Sequence, residues 1–172
     1  MDRHVILVGL PGCGKSTVGP IVAGELHLPF VDLDSVIVRR MGMPVDRIFG
    51  ERGEVGFREL EHDATAEALA AAPSVIAPGG GWAAQPGNMK GARARALFFY
   101  LQVSAPIALA RARQGAVRPL LAGGEGLARM TTLLSAREND YQQADGTVGN
   151  DTDDPSVAAA KIVEWLHRGG FA

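Results

Sequence analysis

The run Gly9-Leu10-Pro11-Gly12-Cys13-Gly14-Lys15-Ser16-Thr17 constrains this chain more than any other stretch, because it follows the apolar Val5-Ile6-Leu7-Val8 and precedes an apolar-periodic segment. A strand, a glycine loop and a helix in that order make a phosphate cradle. The glycines let successive backbone N–H groups turn toward an anion, and the helix behind them points its positive end at the same place. The spacing Gly-x-x-x-x-Gly-Lys-Ser then puts Lys15 at the β- and γ-phosphates and offers the Ser16 hydroxyl to Mg²⁺. The rest of the chain must supply the phosphate acceptor.

With 172 residues, 47% of them hydrophobic, the chain suffices for one well-buried core and is short for two domains. A net charge of -2 provides no basic field for nucleic acid, so any anion site is local. No run of 18 apolar residues and no basic, apolar leader occurs, which predicts a cytoplasmic, membrane-free protein, expected to be a monomer. A single cysteine excludes an internal disulfide, and with only four scattered histidines no zinc site of usual spacing can be drawn. The expected metal is therefore Mg²⁺, held by carboxylate and phosphate oxygens. Since 14 arginines stand against 3 lysines, most arginines must be solvated, and only those in a motif merit attention.

The pattern predicts β-strands over 4–8, 30–34, 74–77, 97–101 and 147–149, alternating with helices over 15–26, 35–41, 45–49, 54–71, 88–95, 106–113, 127–143 and 157–166. Pro20 removes one hydrogen bond from the first helix and should bend it. Asp34 is the expected N-cap of the second, and strand alternation would put Asp32 and Asp34 on one face. Arg58 and Glu61 stand three apart on a helix, where a surface ion pair is the plain expectation. Gly79-Gly80-Gly81 ends a buried-looking strand, as expected where backbone passes close to a ligand. Gln114 to Gly126, with glycines near both ends and Arg118-Pro119 between, reads as a mobile lid of about 114–126. Leu127, Met130, Leu133 and Leu134 are expected to face inward on the helix that carries Arg137 and Tyr141. Uninterrupted apolar strands in βα alternation imply a doubly wound parallel sheet with ligands at the strands' carboxyl ends.

Taken together, the glycine loop, Asp32-x-Asp34, Phe57-Arg58-x-x-Glu61, Gly79-Gly80-Gly81, Arg118-Pro119-Leu120-Leu121 and Arg137-x-x-x-Tyr141 resemble the shikimate kinases in order and spacing over nearly the whole chain. The resemblance implies a single three-layer P-loop kinase domain over 1–172, with a five-stranded parallel sheet, helices on both faces and a lid. It implies phosphorylation of the 3-hydroxyl of shikimate by ATP with Mg²⁺. Lys15, Asp34 and Arg118 would be catalytic. Gly12, Cys13, Gly14, Lys15, Ser16 and Thr17, with Arg111, Arg118 and Pro155, would hold the nucleotide, and Ser16 and Asp32 the metal. Asp34, Arg58, Glu61, Gly79, Gly80, Gly81 and Arg137 would bind the substrate, the two arginines clamping its carboxylate and Glu61 orienting Arg58.

Three departures from that family carry expectations of their own. Pro78 and Trp82 flank the triple glycine, where Trp82 should reshape the acceptor pocket. Asp153 and Asp154 precede the adenine-side proline and should weaken nucleotide binding. Cys13 lies at a helix N-terminus, where a thiol pKa can fall and alkylation should be blocked by ATP. A gluconate-type kinase, a GTPase-like switch and a silent nucleotide-binding module are the rival readings. The switch would need an Asp-x-x-Gly turn and an Asn-Lys-x-Asp base reader, and neither occurs.

Overall fold

A computed structural model describes residues 1–114, 125–152 and 154–171. The expected lid, Arg118 within it, and Asp153 lie outside the described residues, apart from Gln114, Glu125 and Gly126 at the lid's ends. Five strands, β1 (His4–Val8), β2 (Phe30–Asp32), β3 (Val75–Ala77), β4 (Ala96–Gln102) and β5 (Gly146–Gly149), form one parallel sheet in the order β2-β3-β1-β4-β5. The register pairs Val5 with Val75 on one side of β1 and with Leu97 on the other. All five residues of β1 are buried, as are six of the seven in β4, so side chains on both faces of the pleat are covered by helices.

The helices are α1 (Lys15–Glu25), α2 (Leu33–Met41), α3 (Val45–Ala70), α4 (Asn88–Ala92), α5 (Ala105–Gln114), α6 (Gly126–Tyr141) and α7 (Pro155–Arg168). In the layers beside the sheet α1 packs on α7, α2 on α3 and α5 on α6. Helix α1 runs through Pro20, its sixth residue, as one element, without the hydrogen bond that a proline nitrogen cannot donate. The two helices expected over 45–71 abut at Gly53, whose φ of 68° interrupts α3 without ending it. Leu127 departs from expectation: it is 46% exposed in the first turn of α6, while Met130, a turn later, is fully buried.

Because the chain winds outward from β1 to both edges, β1 is flanked by β3 and β4, and the loop after it sits where the strand order reverses. Ligands of open α/β sheets bind in the crevice at that point. The glycine loop, the end of β2, the triple glycine after β3 and the segment after β5 all leave the sheet on this side.

Candidate active site

β1 delivers its chain into the glycine loop from a fully buried strand. Gly14 caps α1 at φ +102°, a conformation that costs a side-chain-bearing residue strain. Its carbonyl accepts from Thr17 N at 3.0 Å and Val18 N at 2.8 Å, which starts the helix. Lys15 is buried, its ammonium donating to the carbonyls of Gly9 at 2.9 Å and Leu10 at 3.0 Å. The cation is thus folded over its own loop, and its charge is available at the cradle. Cys13 Sγ lies 3.5 Å from that ammonium and the residue is wholly buried, so the expected reactive thiol is corrected: a reagent reaches it only when the loop opens.

A cleft of about 380 Å³ is walled by Gly12, Gly14 and Lys15 on the loop side and by Asp32, Asp34, Pro78, Gly79 and Gly80 opposite. Ser16 and Thr17 line the same cleft. Ser16 Oγ donates to Asp32 Oδ2 at 2.6 Å, while Asp32 Oδ1 accepts from Ser35 N at 3.0 Å. Asp32, not Asp34, is therefore the N-cap of α2. The strand ends there, so the expected shared strand face does not form, and Asp34 reaches the cleft from the first turn of the helix. A hydroxyl and a carboxylate in contact at the cradle are hard oxygen donors of the kind Mg²⁺ takes. Among the described residues no cluster of three or more His, Cys, Asp or Glu could hold a metal by itself, so such an ion depends on phosphate and water oxygens as well.

Arg58 Nη1 donates to Glu61 Oε2 at 2.7 Å, and Nη2 to Glu54 Oε1 at 3.3 Å. This is no surface pair: the Glu61 side chain is 1% exposed and that of Arg58 18%. Burial pushes the Glu61 carboxyl above the usual range against the opposing pull of Arg58, and the Asp34 charge pushes the same way. The triple glycine makes this arrangement possible. A Cβ on Gly79 would stand 2.6 Å from Glu61 Oε1, one on Gly81 would strike the Arg58 guanidinium, and one on Gly80 would lie 2.6 Å from Pro11 Cδ in the phosphate loop. Gly80 is therefore the point at which the acid-and-arginine wall closes on the cradle. Trp82 does not line the cleft as expected; it is buried, stacked on Phe98 at 6.3 Å, and Pro78 alone of the two unusual flanking residues faces the opening.

Beyond Gly14 and Thr17 a second cleft of about 390 Å³ is bounded by Ile107, Arg111, Asn150 and Pro155. Arg111 is fixed there by the carbonyls of Asn150 at 2.7 Å and Thr152 at 2.6 Å. Asp154 has a task of its own, capping α7 through Ser156 N at 2.9 Å and Ser156 Oγ at 2.6 Å; those bonds hold its carboxyl below the usual range. Its charge is engaged by the helix terminus.

The family model for shikimate kinase matches residues 11–167. The chain belongs to the shikimate kinase family. It is 39% identical over 166 residues to a shikimate kinase of Pseudomonas aeruginosa, covering 96% of each chain, and 38% identical to that of Moorella thermoacetica, covering 96% of this chain and 95% of the relative. Among solved structures it is similar to the shikimate kinase of Acinetobacter baumannii in complex with shikimate, with a TM-score of 0.93 at 30% identity over 99% of this chain and 96% of that one. A gluconokinase from Sinorhizobium meliloti superposes at a TM-score of 0.62 with 15% identity, a likeness of fold alone. The protein is a kinase of that family, a phosphoryl transferase, and among its described residues no helix is long and apolar enough to cross a membrane.

Sequence spacing paired Tyr141 with Arg137 but did not reveal what the phenol does. It is buried on Tyr100, with ring centroids 5.2 Å apart, and donates to the Gly80 carbonyl at 2.5 Å; burial pushes the phenol up, and the Arg137 charge beside it pulls the other way. The triple glycine is thus the common neighbour of Arg58, through Gly81, and of Arg137, through Tyr141. Tyr141→Phe keeps the stack and strands the Gly80 carbonyl, which costs about 1–3 kcal/mol. At roughly 2–4 °C per kcal/mol for a domain of this size, the variant is expected to melt about 2–12 °C lower by calorimetry and to show a several-fold higher KM for the acceptor at unchanged KM for the nucleotide.

Proposed function

We propose that this protein transfers the γ-phosphoryl group of ATP to the 3-hydroxyl of shikimate. The observation that carries the reading is the approach of Gly80 to Pro11, which brings the triple glycine, packed on Glu61 and Arg58, against the phosphate loop beside the cleft that Asp34 lines. The acceptor oxygen forms the new bond to phosphorus as the bond from phosphorus to the bridging oxygen of ADP breaks. Little covalent help is needed, so placement and charge do most of the work.

Lys15 exchanges the Gly9 and Leu10 carbonyls for the β- and γ-phosphates, joined by the amides of the Gly12 to Thr17 loop. Asp34 accepts the hydrogen bond of the attacking hydroxyl, orients it and takes its proton late. Arg58 and Arg137 grip the substrate carboxylate, for which paired guanidinium forks are suited, with Glu61 fixing Arg58. Gly79, Gly80 and Gly81 let the acceptor approach the backbone. Arg111 and Pro155 take the adenine, and Arg118 neutralises charge on the transferring group. Ser16 and Asp32 would hold Mg²⁺, directly or through water, which supplies positive charge to the phosphate oxygens. The same reading takes the protein as a monomer, acting in the cytoplasm as one kinase domain over 1–172.

The test is ADP release from ATP and Mg²⁺ with shikimate, quinate, gluconate or no acceptor. Stimulation by shikimate above the others is expected; none would defeat the reading.

A further inference from the structure

The two clefts meet at Gly14, and the segment leaving β5 lines the second of them. Asn150 opens that segment. It is 3% exposed, and its backbone N–H donates to the Gln102 carbonyl at 2.8 Å, so the residue is pinned to the sheet. From this anchor the side chain crosses to the phosphate loop, where Nδ2 donates to the Cys13 carbonyl at 2.8 Å. Its backbone carbonyl meanwhile accepts from Arg111 Nη1 at 2.7 Å.

The bond to Cys13 has a directional consequence for the next residue. In a trans peptide the C=O of Cys13 and the N–H of Gly14 point to opposite sides of the chain. Holding the carbonyl on Asn150 therefore turns the Gly14 N–H away from Asn150, which is the sense an anion cradle requires. The amide reaches the carbonyl only because Gly14 lacks a side chain: a Cβ there would stand 2.6 Å from Asn150 Nδ2. Asn150 Oδ1, by contrast, is buried with no hydrogen-bond partner among the described residues. Turning the amide over would set that oxygen against the Cys13 carbonyl, so the assigned orientation is the one the surroundings support. A buried amide half-satisfied in this way costs stability, and such groups call for a reason other than folding.

We infer that Asn150 is a positioning residue for the nucleotide, aiming the Gly14 amide into the phosphate cradle through its side chain and holding Arg111 at the adenine-side cleft through its backbone. One residue thereby fixes the distance between the two halves of the nucleotide site. This rests on the ATP reading proposed above. It predicts a loss confined to the nucleotide, since none of its three bonds reaches Asp34, Arg58 or the triple glycine.

Calorimetric titration of the parent protein, Asn150→Ala and Asn150→Asp with ADP in the presence of Mg²⁺, and separately with shikimate, tests it. Asn150→Ala is expected to raise the Kd for ADP about tenfold, the equivalent of one directed hydrogen bond. Asn150→Asp should raise it further, because a carboxylate oxygen then opposes the Cys13 carbonyl. Shikimate should bind all three within twofold. If the alanine variant does not fold, the near-isosteric aspartate variant carries the test alone. ADP affinity within twofold of the parent in the variants overturns the role, as does shikimate affinity that falls in step with that for ADP, which would mark a general loosening. A parent protein that fails to bind ADP overturns the nucleotide reading itself, so the two failures are told apart.

Discussion

Asp34→Asn is expected to lower kcat by about 10²- to 10⁴-fold while KM for ATP and for shikimate stay within a few-fold, the signature of a group that acts mainly in the transition state. The two side chains have the same shape, so the first turn of α2, capped by Asp32 and not by Asp34, should form unchanged. What is lost is the capacity to accept the hydroxyl proton. Stability supplies an independent readout. The Asp34 charge pushes the buried Glu61 carboxyl upward, so the neutral amide removes a repulsion, and the variant should melt no lower than the parent. Steady-state kinetics with each substrate varied and a thermal scan decide it. A kcat near that of the parent, or a loss appearing only as a higher KM for ATP, would remove Asp34 from the chemistry.

Much of this architecture is legible in the chain because it rests on local signals. The glycine spacing after an apolar strand fixes β1, the loop and α1 together, and the unbroken run Leu97 to Leu101 can hardly be anything but a buried strand of a parallel sheet. Gly53 divides α3 where the sequence suggested two helices. Other features depend on long-range packing. Asp34 is the better cap on paper when β2 is carried on through it, and only the end of β2 at Asp32 moves the cap two residues back. Arg58 and Glu61 have the spacing of an ordinary surface pair; their burial comes from the triple glycine, which β3 brings against them. Trp82 next to that glycine run looked like a pocket wall because nothing in the sequence says that its side chain turns to Phe98. Asn150 belongs to no motif, and its role depends on a contact with a residue 137 positions earlier in the chain. The outcome for Arg118 rests on residues outside those described.

The second large effect is expected at Arg58, where one substitution should damage both binding and folding. Arg58→Ala removes a guanidinium from the proposed carboxylate clamp and, in the same stroke, leaves Glu61 buried without its cation. Breaking such a pair costs about 3 kcal/mol, the low end for buried ion pairs because Arg58 is only partly enclosed. KM for shikimate should rise by about 10²-fold, the equivalent of two charge-assisted hydrogen bonds, with KM for ATP little changed. The pH dependence separates the two consequences. In the parent, burial already outweighs Arg58 and raises the Glu61 carboxyl; without Arg58 the rise is larger. A folded carboxyl raised above its unfolded value takes up protons that the unfolded chain does not, so stability falls as pH rises through the folded pKa and returns as pH drops toward about 4.5. The melting deficit of Arg58→Ala should therefore be greatest at neutral pH and shrink on acidification, whereas the defect in shikimate binding should persist at every pH where the parent binds. Arg58→Ala combined with Glu61→Gln should recover much of the stability and none of the binding. If the double variant regained shikimate affinity, the clamp would have to be assigned elsewhere, and if the single variant's deficit did not vary with pH, Glu61 would not be the charge left behind.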